Sequence, residues 1–548
     1  MVDAFVSTLP APCLKLGCIV AEQPPLNPAD LVGCRYRQVQ KRRYPELPPT
    51  PAQQHRHQRS EAARHEVYSL IPYRRALGDP RRDFRRLDLE GNLEEREFAT
   101  LEALAAGVDI ITSAVLSSDI CDSALGQPLK SSPRWLTEVD VLLRISPTLQ
   151  PLDAHATTWS YLPISISNHR VARPNAHTEA TIIPTARLGL GKPLQVRQKI
   201  RHHTSDSYRL YLAQEALKAL GLHCGQVGMI GQDRSLAFIT GTPNVARSVH
   251  SALQAPAPTR ARRVRECADC RFWPICESEL RARDDISLFL PGDKSQALLE
   301  IGISTVEGLI QAGQGELSTF ALAWRTGVSV LKRSAPKLPE DNALELDIDV
   351  EAYLDQGAYL WGTWDGHTYR PFVTWEGLGR TPEARAFAAF WQWLNTQRTH
   401  AHAQGRRIRV YCWSNHGENH WLRFSARRFG GKIFDDGSYC PTPEEVEEFI
   451  ASEEWVDLFA IARTHLAGPT GLGLKTVAPA AGFHWAEEDF SGEDAVHAYR
   501  IAAGVDPGNS AAVKAQLLRY NADDCRATAE VRAWLRRGAP GIPELCSV

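Results

Sequence analysis

The C-terminal half of the chain contains acidic residues whose types and spacing could bind divalent cations. In LELDIDVEAY, the alternation of a β-strand places Asp347, Asp349 and Glu351 on one face. Three acids on one face repel each other, and a fold tolerates them best at a solvent edge or around divalent cations. Farther along, RYNADDCRAT places Tyr520 and Asp524 four residues apart, on one helix face. Carboxylates suit Mg²⁺ or Mn²⁺, and two such ions can hold the attacking and leaving oxygens of a phosphodiester displacement.

Two further acids lie between these motifs. Glu418 follows a predicted strand, in the expected loop of VYCWSNHGENHWLR, and SEEWVDLFAIA contains Asp457. Each piece is weak alone, because acid pairs on strands are common. Their order along the chain predicts one site, built from a strand acid pair, a mid-chain acid and a late helix.

A second group of residues with metal-ligand spacing lies in RECADCRFWPICESEL. Cys267, Cys270 and Cys276 form a C-x2-C-x5-C array. Three thiols are an incomplete ligand set for a tetrahedral metal or an iron–sulfur cluster, so a fourth ligand is expected elsewhere. The N-terminus lacks the pattern of a secretory signal, and we expect the chain to be cytoplasmic. In a reducing compartment, a tight cysteine array favours metal binding over disulfides.

The charge of the chain is divided unevenly. Residues 1–280 have a net charge of +7 (35 basic against 28 acidic residues), and residues 281–548 have −9 (27 against 36). Basic stretches such as TRARRVRECADCR suit a phosphate backbone, although a solvated arginine-rich surface is the alternative reading. A content of 43% hydrophobic and 23% charged residues is that of a globular protein. No run of 18 apolar residues is present, so no membrane span is expected.

These residues are expected to be positioned by two α/β units. In residues 27–285, EEREFATLEALAAG and YRLYLAQEALKALG predict helices, and TEVDVLLRISP and YLPISISNH predict strands. Residues 286–338 predict short helices around Pro-Gly and Gly-Ile, weakly similar to a helix–hairpin–helix but equally read as a connector. In residues 339–548, NALELDIDVEAY and GAYLWGTW predict a hairpin, RIRVYCWSN a strand, and AQLLRYNADDCRATAEVRAWL a long helix.

The C-terminal motifs resemble the DnaQ-like exonucleases of the RNase H fold, in the variant with a tyrosine in the third motif. The blocks are DIDVEAYLDQGAYLWG, VDLFAIA, GLGLKTVAPAAGFHW and YNADDCRAT, and they look like the RNase H-like domain that follows RecB-like modules in bacteria. The resemblance implies that Asp349 and Glu351 form the first motif. It implies that Asp524 belongs to the third, with Tyr520 positioning the attacking water.

The second motif of this resemblance departs from the usual pattern. Many relatives have an aspartate there, whereas the matching position here is Glu418, longer by one methylene. Asp457 is the other candidate ligand.

The cysteines resemble those of the iron–sulfur RecB-like nucleases, which have a PD-(D/E)XK fold and include CRISPR-associated and AddB-type members. These proteins have a lone cysteine before the nuclease core, and Cys34 in LVGCRYRQVQKRR is the matching residue. The resemblance implies a [4Fe–4S] cluster, held by Cys34 and the C-x2-C-x5-C array, that fastens the two ends of the domain. Zinc is the alternative occupant, and unligated cysteines are a third reading.

The same resemblance implies a second acidic site in the N-terminal domain. His65 matches the early histidine of the family and Asp140 its strand aspartate. The acid-x-Lys motif is missing from YLPISISNHRVAR, and the Gln-x3-Tyr pair is missing from YRLYLAQEAL. We therefore expect a degenerate nuclease domain that binds DNA without cutting it, unless His169 or another residue substitutes.

Together these features predict an N-terminal extension (1–26), a RecB-like domain (27–285), a helical connector (286–338) and an RNase H-like domain (339–548). The predicted function is metal-dependent hydrolysis of DNA, single-stranded or end-bearing, in the C-terminal domain. A helicase or repair partner is implied by resemblance only. The alternatives are a ribonuclease and an inert DNA-binding scaffold protein.

Overall fold

The computed structural model describes residues 24–73, 84–120, 133–145, 159–354, 356–487, 490 and 492–545. Most of the predicted N-terminal extension lies outside these residues. The chain forms two compact units, Met1–Ala282 and Arg283–Val548. The segment predicted as a helical connector therefore lies in the same unit as the C-terminal domain.

The first unit is built on a mixed sheet. Its strands are, in chain order, Arg86–Asp88 (β1), Ile110–Ser117 (β2), Leu136–Ile145 (β3), Ser160–Ile166 (β4), Ala172–Pro174 (β5), Ala180–Pro184 (β6), Leu194–Val196 (β7), Gln198–Ile200 (β8), Gln226–Ile230 (β9) and Leu236–Gly241 (β10). Among the described residues, the large sheet has the order β1-β2-β3-β4-β9-β10-β6-β7, and β5 pairs with β8. β1 with β2 and β4 with β9 are parallel pairs. The two strands predicted from TEVDVLLRISP and YLPISISNH are confirmed as β3 and β4, which pair with each other.

Helices flank this sheet. They are Arg37–Arg43 (α1), Pro51–Leu70 (α2), Leu93–Ala105 (α3), Thr204–Ala219 (α4), Ala246–Gln254 (α5) and Trp273–Ala282 (α6). α3 begins where Asn92 and Glu95 cap each other's backbone N–H groups, at 3.0 and 2.9 Å. α4 packs on β3 and β4, with Tyr208 and Leu212 in the core. Both predicted helices are confirmed, and α4 brings its polar residues beside β3.

The second unit contains a five-stranded sheet. The strands of the whole unit are Leu331–Lys332 (β11), Leu344–Tyr353 (β12), Gly357–Trp364 (β13), Tyr369–Val373 (β14), Ile408–Cys412 (β15), Trp455–Asp457 (β16) and Leu466–Ala467 (β17). In the described chain, the sheet order is β14-β13-β12-β15-β16, and β11 pairs with β17. β12, β13 and β14 are antiparallel neighbours, whereas β15 and β16 run parallel to β12. The predicted hairpin is confirmed as β12 and β13, and β12 is central rather than at an edge.

Helices cover both faces of this sheet. The helices of the unit are Gln296–Glu300 (α7), Val306–Gln311 (α8), Glu316–Arg325 (α9), Thr381–Ala403 (α10), Asn415–Phe429 (α11), Pro443–Ala451 (α12), Leu458–His465 (α13), Leu474–Val477 (α14), Gly492–Ala502 (α15) and Ser510–Arg536 (α16). Residues of α7, α8 and α9 form a separate hydrophobic cluster. On one face, Trp361 of β13 packs against Phe387 and Phe390 of α10. On the other face, Leu360 packs in a cluster with Tyr499 of α15 and others of α16. No helix in the described ranges has the length and hydropathy to cross a bilayer.

Candidate metal centre

Three carboxylates of the second unit converge. Asp349 and Glu351 lie two residues apart on the central strand β12, and Asp524 lies on α16, which packs across that strand. One oxygen atom of each carboxylate lies within 4.8 Å of one of each of the others. Asp349 and Glu351 are half-buried, and Asp524 is 9% exposed. The long helix and the central strand therefore bring together acids that are more than 170 residues apart in the chain.

Burial and mutual repulsion disfavour the charged forms of these three carboxylates. Burial, followed by repulsion from Asp524, raises the pKa of Glu351 to about 8. Burial raises the pKa of Asp524 to about 6, and burial together with the neighbouring acids raises that of Asp349. Among the described residues, no lysine or arginine forms an ion pair with any of the three. A divalent cation would relieve this repulsion, and a set of carboxylate oxygens fits Mg²⁺ or Mn²⁺.

Asp347 lies on the same face of the strand, but an arginine balances its negative charge. Its carboxylate binds the guanidinium of Arg532 at 3.2 Å (Nε) and 2.7 Å (Nη2). Arg532 also contacts Glu345. Asp347 is therefore paired with an arginine, whereas Asp349 and Glu351 lie close to Asp524.

Glu418 lies close to this cluster but is not one of the converging three. It belongs to the first turn of α11 and not to a loop, because the helix begins directly after β15 at Ser414, whose φ is +70°. Glu418 is 7% exposed, and burial raises its pKa to about 8. Its charge also raises the pKa of Asp349 and Glu351. Glu418 is therefore positioned as a fourth acid of the site.

Asp457 has a structural role in the fold. It precedes α13 and accepts a hydrogen bond from the backbone N–H of Ala460 at 3.1 Å, which caps the helix. It adds to the negative potential at Glu418. Of the two acids considered for the second motif, Glu418 is the one whose charge acts on Asp349 and Glu351.

Tyr520 lies one helical turn before Asp524 on α16, and its hydroxyl lowers the pKa of Asp524. The indole Nε1 of Trp485 donates to Asp524 Oδ1 at 2.8 Å. Lys475 Nζ lies 5.3 Å from the ring centroid of Tyr520 and 5.6 Å from that of Trp485, and its charge lowers the pKa of Asp524. Trp485 and Lys475 were not predicted as site residues, although both lie in a block of the resemblance.

A second set of residues that the sequence did not reveal holds Asp349. Asn521 Nδ2 donates to Asp349 Oδ2 at 2.7 Å, and the hydroxyl of Tyr369 donates to Asn521 Oδ1 at 2.7 Å. A Cβ atom at Gly362, which pairs with Asp349, would lie 1.7 Å from Asn521 Oδ1, so this position needs glycine. The available signal was the position of Asn521, three residues before Asp524 on one helix face.

The raised pKa values predict how the metal-free protein responds to pH. Glu351 and Glu418 have a pKa of about 8 when folded, against about 4.3 in an unfolded chain. The folded state therefore binds protons that the unfolded state releases, so this stability is present at low pH and is lost as the pH rises to about 8. We expect the melting temperature of the metal-free chain to fall between pH 5.5 and 8.5 and to recover when Mn²⁺ is added at pH 8.5. Differential scanning fluorimetry measures both effects, and Glu351→Gln should flatten the fall; an equal fall in this variant would contradict the assignment.

In the first unit, the candidate catalytic aspartate, Asp140, is bound by arginines. Asp140 is 2% exposed, and it accepts from Arg64 Nε at 2.7 Å, Arg209 Nη1 at 3.3 Å and the backbone N–H of Ile166 at 2.7 Å. Where the resemblance would place an acid-x-Lys motif, the chain has Ser165 on β4 and Ser167 directly after it. The guanidinium groups of two arginines therefore balance the negative charge of the Asp140 carboxylate.

The two histidines considered for this site lie elsewhere. His65 is exposed on α2. From the same helix, Arg64 donates to the carboxylate of Asp140, and Tyr68 donates to its backbone carbonyl at 2.9 Å. The ring of His169 stacks on that of His203 at 4.1 Å. Among the described residues, neither histidine is recorded in contact with Asp140.

Four of the cysteines in the first unit, Cys34, Cys267, Cys270 and Cys276, lie close enough to act on one another's charge. Burial raises the pKa of Cys34, Cys267 and Cys276, and neighbouring thiols, Cys270 included, raise it further. Cys34 precedes α1 and Cys276 lies on α6. Gln40 of α1 is fully buried and donates from Nε2 to Cys276 Sγ at 3.3 Å. The two ends of the unit are therefore in contact at these thiols.

Comparison with known proteins bears on the second unit. Residues 348–536 match the family model RNase_H_2 of the RNase H superfamily. No curated protein matches the chain. The matched segment runs from β12 to the end of α16, so it includes Asp349, Glu351, Glu418 and Asp524. The second unit thus contains an RNase H-like domain with a candidate acidic metal site, which supports a nuclease-type hydrolase that acts on nucleic acid.

Proposed function

We propose that the chain is a metal-dependent nuclease that hydrolyses phosphodiester bonds of DNA at the cluster of Asp349, Glu351 and Asp524. The observation that carries this proposal is that three carboxylates lie within 4.8 Å of one another inside an RNase H-like domain, and that none of them forms an ion pair with a lysine or arginine of the described chain. The Tyr-x3-Asp spacing supports an exonuclease of the DnaQ type. Single-stranded or end-bearing DNA is the substrate that this type favours.

The residues around the cluster have separate roles in this proposal. Bound Mg²⁺ or Mn²⁺ would supply a Lewis acid at the scissile phosphate and a more acidic water. Asp349, Glu351 and Asp524 would hold the ions, and Glu418 would complete the ligand set. Asn521 and Trp485 fix the orientations of Asp349 and Asp524 through hydrogen bonds of 2.7 and 2.8 Å. The hydroxyl of Tyr520, one helical turn from Asp524, would orient the attacking water.

One assay tests this function. The purified full-length chain is incubated with Mn²⁺ and end-labelled single- and double-stranded DNA and RNA. We expect shortening of DNA from an end, lost when Mn²⁺ is omitted. Cleavage of RNA alone would make the protein a ribonuclease, and binding of DNA without cleavage of either nucleic acid would make it a scaffold protein.

We further propose that the first unit binds the nucleic acid and does not cut it. The net charge of +7 in residues 1–280 favours binding to phosphates, while the −9 of the remainder favours cations. The arginines on Asp140 support this division, because they occupy the carboxylate that a metal ion would need. The basic unit would hold a strand at high local concentration for the acidic unit.

Asp140→Asn separates these roles. Cleavage per folded molecule should stay within about twofold of the unchanged chain, because Asp140 is not a ligand in this proposal. The melting temperature of the first unit should fall, since breaking a buried ion pair costs about 3–5 kcal/mol. Cleavage rates normalised to the folded fraction, measured by circular dichroism, test this. Loss of cleavage in a folded Asp140→Asn protein would move the active site to the first unit.

The thiols of the first unit are proposed to hold a [4Fe–4S] cluster. Their four sulfur atoms fit a group that binds thiolates. A single zinc ion with bonds of about 2.3 Å would draw four sulfurs to about 3.8 Å of one another. In the described chain, no three of these sulfurs meet within 4.8 Å, which favours the larger group. The amide of Gln40 donates to Cys276, as amides do to cluster ligands.

A further inference from the structure

A β-bulge in β13 changes the direction of one side chain beside the candidate metal centre. Glu351 pairs with Leu360 and the next residue, Ala352, pairs with Ala358, so Tyr359 is an extra residue on β13. Bulges of this kind reorient side chains and are common next to active sites.

The packing of β13 shows the effect of this bulge. Ala358 and Trp361 belong to the core beneath α10, whereas Tyr359 and Leu360 both belong to the core beneath α15 and α16. A regular strand would place consecutive residues on opposite faces. The bulge therefore directs the ring of Tyr359 toward the face that carries Asp349, Glu351 and Asp524.

The hydroxyl of Tyr359 is buried without a hydrogen-bond partner. The side chain is 1% exposed, and among the described residues its Oη has no donor or acceptor within hydrogen-bond distance. Its ring is fixed by Tyr499, with centroids 4.4 Å apart, and by Trp375, 6.1 Å away. Buried hydroxyl groups are nearly always bonded, so an unbonded one points to a group that binds beside it.

The strand pairing places Tyr359 beside these acids, because its neighbour Leu360 pairs with Glu351. In agreement with this placement, Glu351 and then Asp349 are the charged groups that raise the pKa of Tyr359 most. Among the described residues, the hydroxyl is hydrogen-bonded to neither acid. Burial raises the pKa of Tyr359, so the group remains a donor at neutral pH.

We propose that Tyr359 is a positioning residue whose hydroxyl donates a hydrogen bond to an oxygen held at the Asp349–Glu351–Asp524 cluster. This oxygen belongs to a metal-coordinated water or to the scissile phosphate. The inference rests on the proposed metal site and adds to it a second neutral hydroxyl, beside that of Tyr520. A donor at this place would orient the bound oxygen without adding charge.

The test compares Tyr359→Phe with the unchanged full-length chain. Without metal, the melting temperature should be equal or up to about 4 °C higher, because an unbonded buried hydroxyl has been removed. Mn²⁺ affinity without nucleic acid, or the cleavage rate at saturating Mn²⁺, should fall about 10- to 100-fold, as for other groups that support metal ligands. Titration calorimetry and single-turnover cleavage measure these two quantities.

The pattern of results identifies the oxygen. Weaker Mn²⁺ binding assigns the bond to a metal-coordinated water, and unchanged Mn²⁺ binding with slower cleavage assigns it to the phosphate. Unchanged values of both overturn the inference. Tyr499→Phe is the matched control, because Tyr499 lies in the same aromatic cluster but its hydroxyl faces Glu383; both quantities should stay unchanged. If the unchanged chain bound Mn²⁺ but cut nothing, the proposed function would fail while the binding test of Tyr359 remained decisive.

Discussion

Asp349→Asn and Asp524→Asn are each expected to abolish cleavage while making the metal-free protein more stable. The loss should be at least about 10²- to 10³-fold, the effect of removing one preorganised electrostatic group from an active site. The gain in stability follows because the acids repel each other within 4.8 Å and their pKa values are raised by burial and by one another. A neutral amide of the same shape removes one of these charges.

Asp347→Asn is the matched control on the same strand. Its carboxylate pairs with Arg532 at 2.7 Å, so removing its charge leaves the buried guanidinium with Glu345 as its remaining acidic partner among the described residues. The melting temperature should therefore fall, but by less than the ~3–5 kcal/mol typical of a broken buried ion pair, because burial raises the pKa of Asp347 to about 6 and Glu345 still contacts Arg532. Cleavage per folded molecule should change little. The two neighbouring acids thus predict stability changes of opposite sign, which thermal melts and single-turnover assays of the same preparations can separate.

Full activity in Asp349→Asn, Asp524→Asn and Glu351→Gln together would place the chemistry elsewhere in the chain. A lower melting temperature in metal-free Asp349→Asn would show that this carboxylate is held mainly by Asn521 and not opposed by its neighbours. The first result would overturn the assignment, and the second would overturn its electrostatic explanation.

The local pattern of the sequence was enough to predict the elements that carry the acids. Alternation in LELDIDVEAY predicted β12, and the apolar spacing around YNADDCRAT predicted α16, because both depend on side chains of one segment. The order of motifs then predicted the convergence of Asp349, Glu351 and Asp524, which the structure confirms. Which acid of a row binds a metal could not be predicted, since Arg532 selects Asp347 for an ion pair from 185 residues away.

The remaining features depend on contacts between distant segments. Gly362 is required only because Asn521 approaches it across the sheet. The bulge at Tyr359 arises from the pairing of two strands, and nothing in GAYLWGTW marks it. Sequence analysis found that the acid-x-Lys motif was missing beside Asp140, but not that Arg64 and Arg209 come from two helices to occupy that carboxylate. The spacing of hydrophobic residues predicts helices and strands, whereas polar contacts between distant residues determine the surroundings of each site residue.

Cys34→Ser is expected to remove the cluster and to destabilise the first unit. The anaerobically purified chain should be brown and contain about four iron atoms, as four thiolate ligands imply. The variant should be colourless or nearly so. Visible absorption and iron analysis measure the loss, and the melting of the first unit should shift to a lower temperature.

The size of this shift follows from where the thiols lie. Cys34 and Cys267 are more than 230 residues apart, so a group bound by both closes a very long loop in the unfolded chain. Loss of a cross-link over such a loop costs up to about 5 kcal/mol by the chain-entropy estimate. Among the contacts that remain between the two ends, the 3.0 Å ion pair of Arg56 and Asp269 is exposed and contributes far less.

Cys224→Ser is the matched control, because this thiol is also in the first unit but donates to the backbone carbonyl of Gln226 at 3.3 Å. It should keep both colour and iron. A colourless unchanged chain with one zinc per molecule would replace the cluster by a zinc site, while a chain without metal would remove the cross-link altogether. In that last case the buried thiols would be free, and Cys34→Ser should leave the melting temperature of the first unit nearly unchanged. The melting temperature therefore tests the cross-link even if the purified protein is colourless.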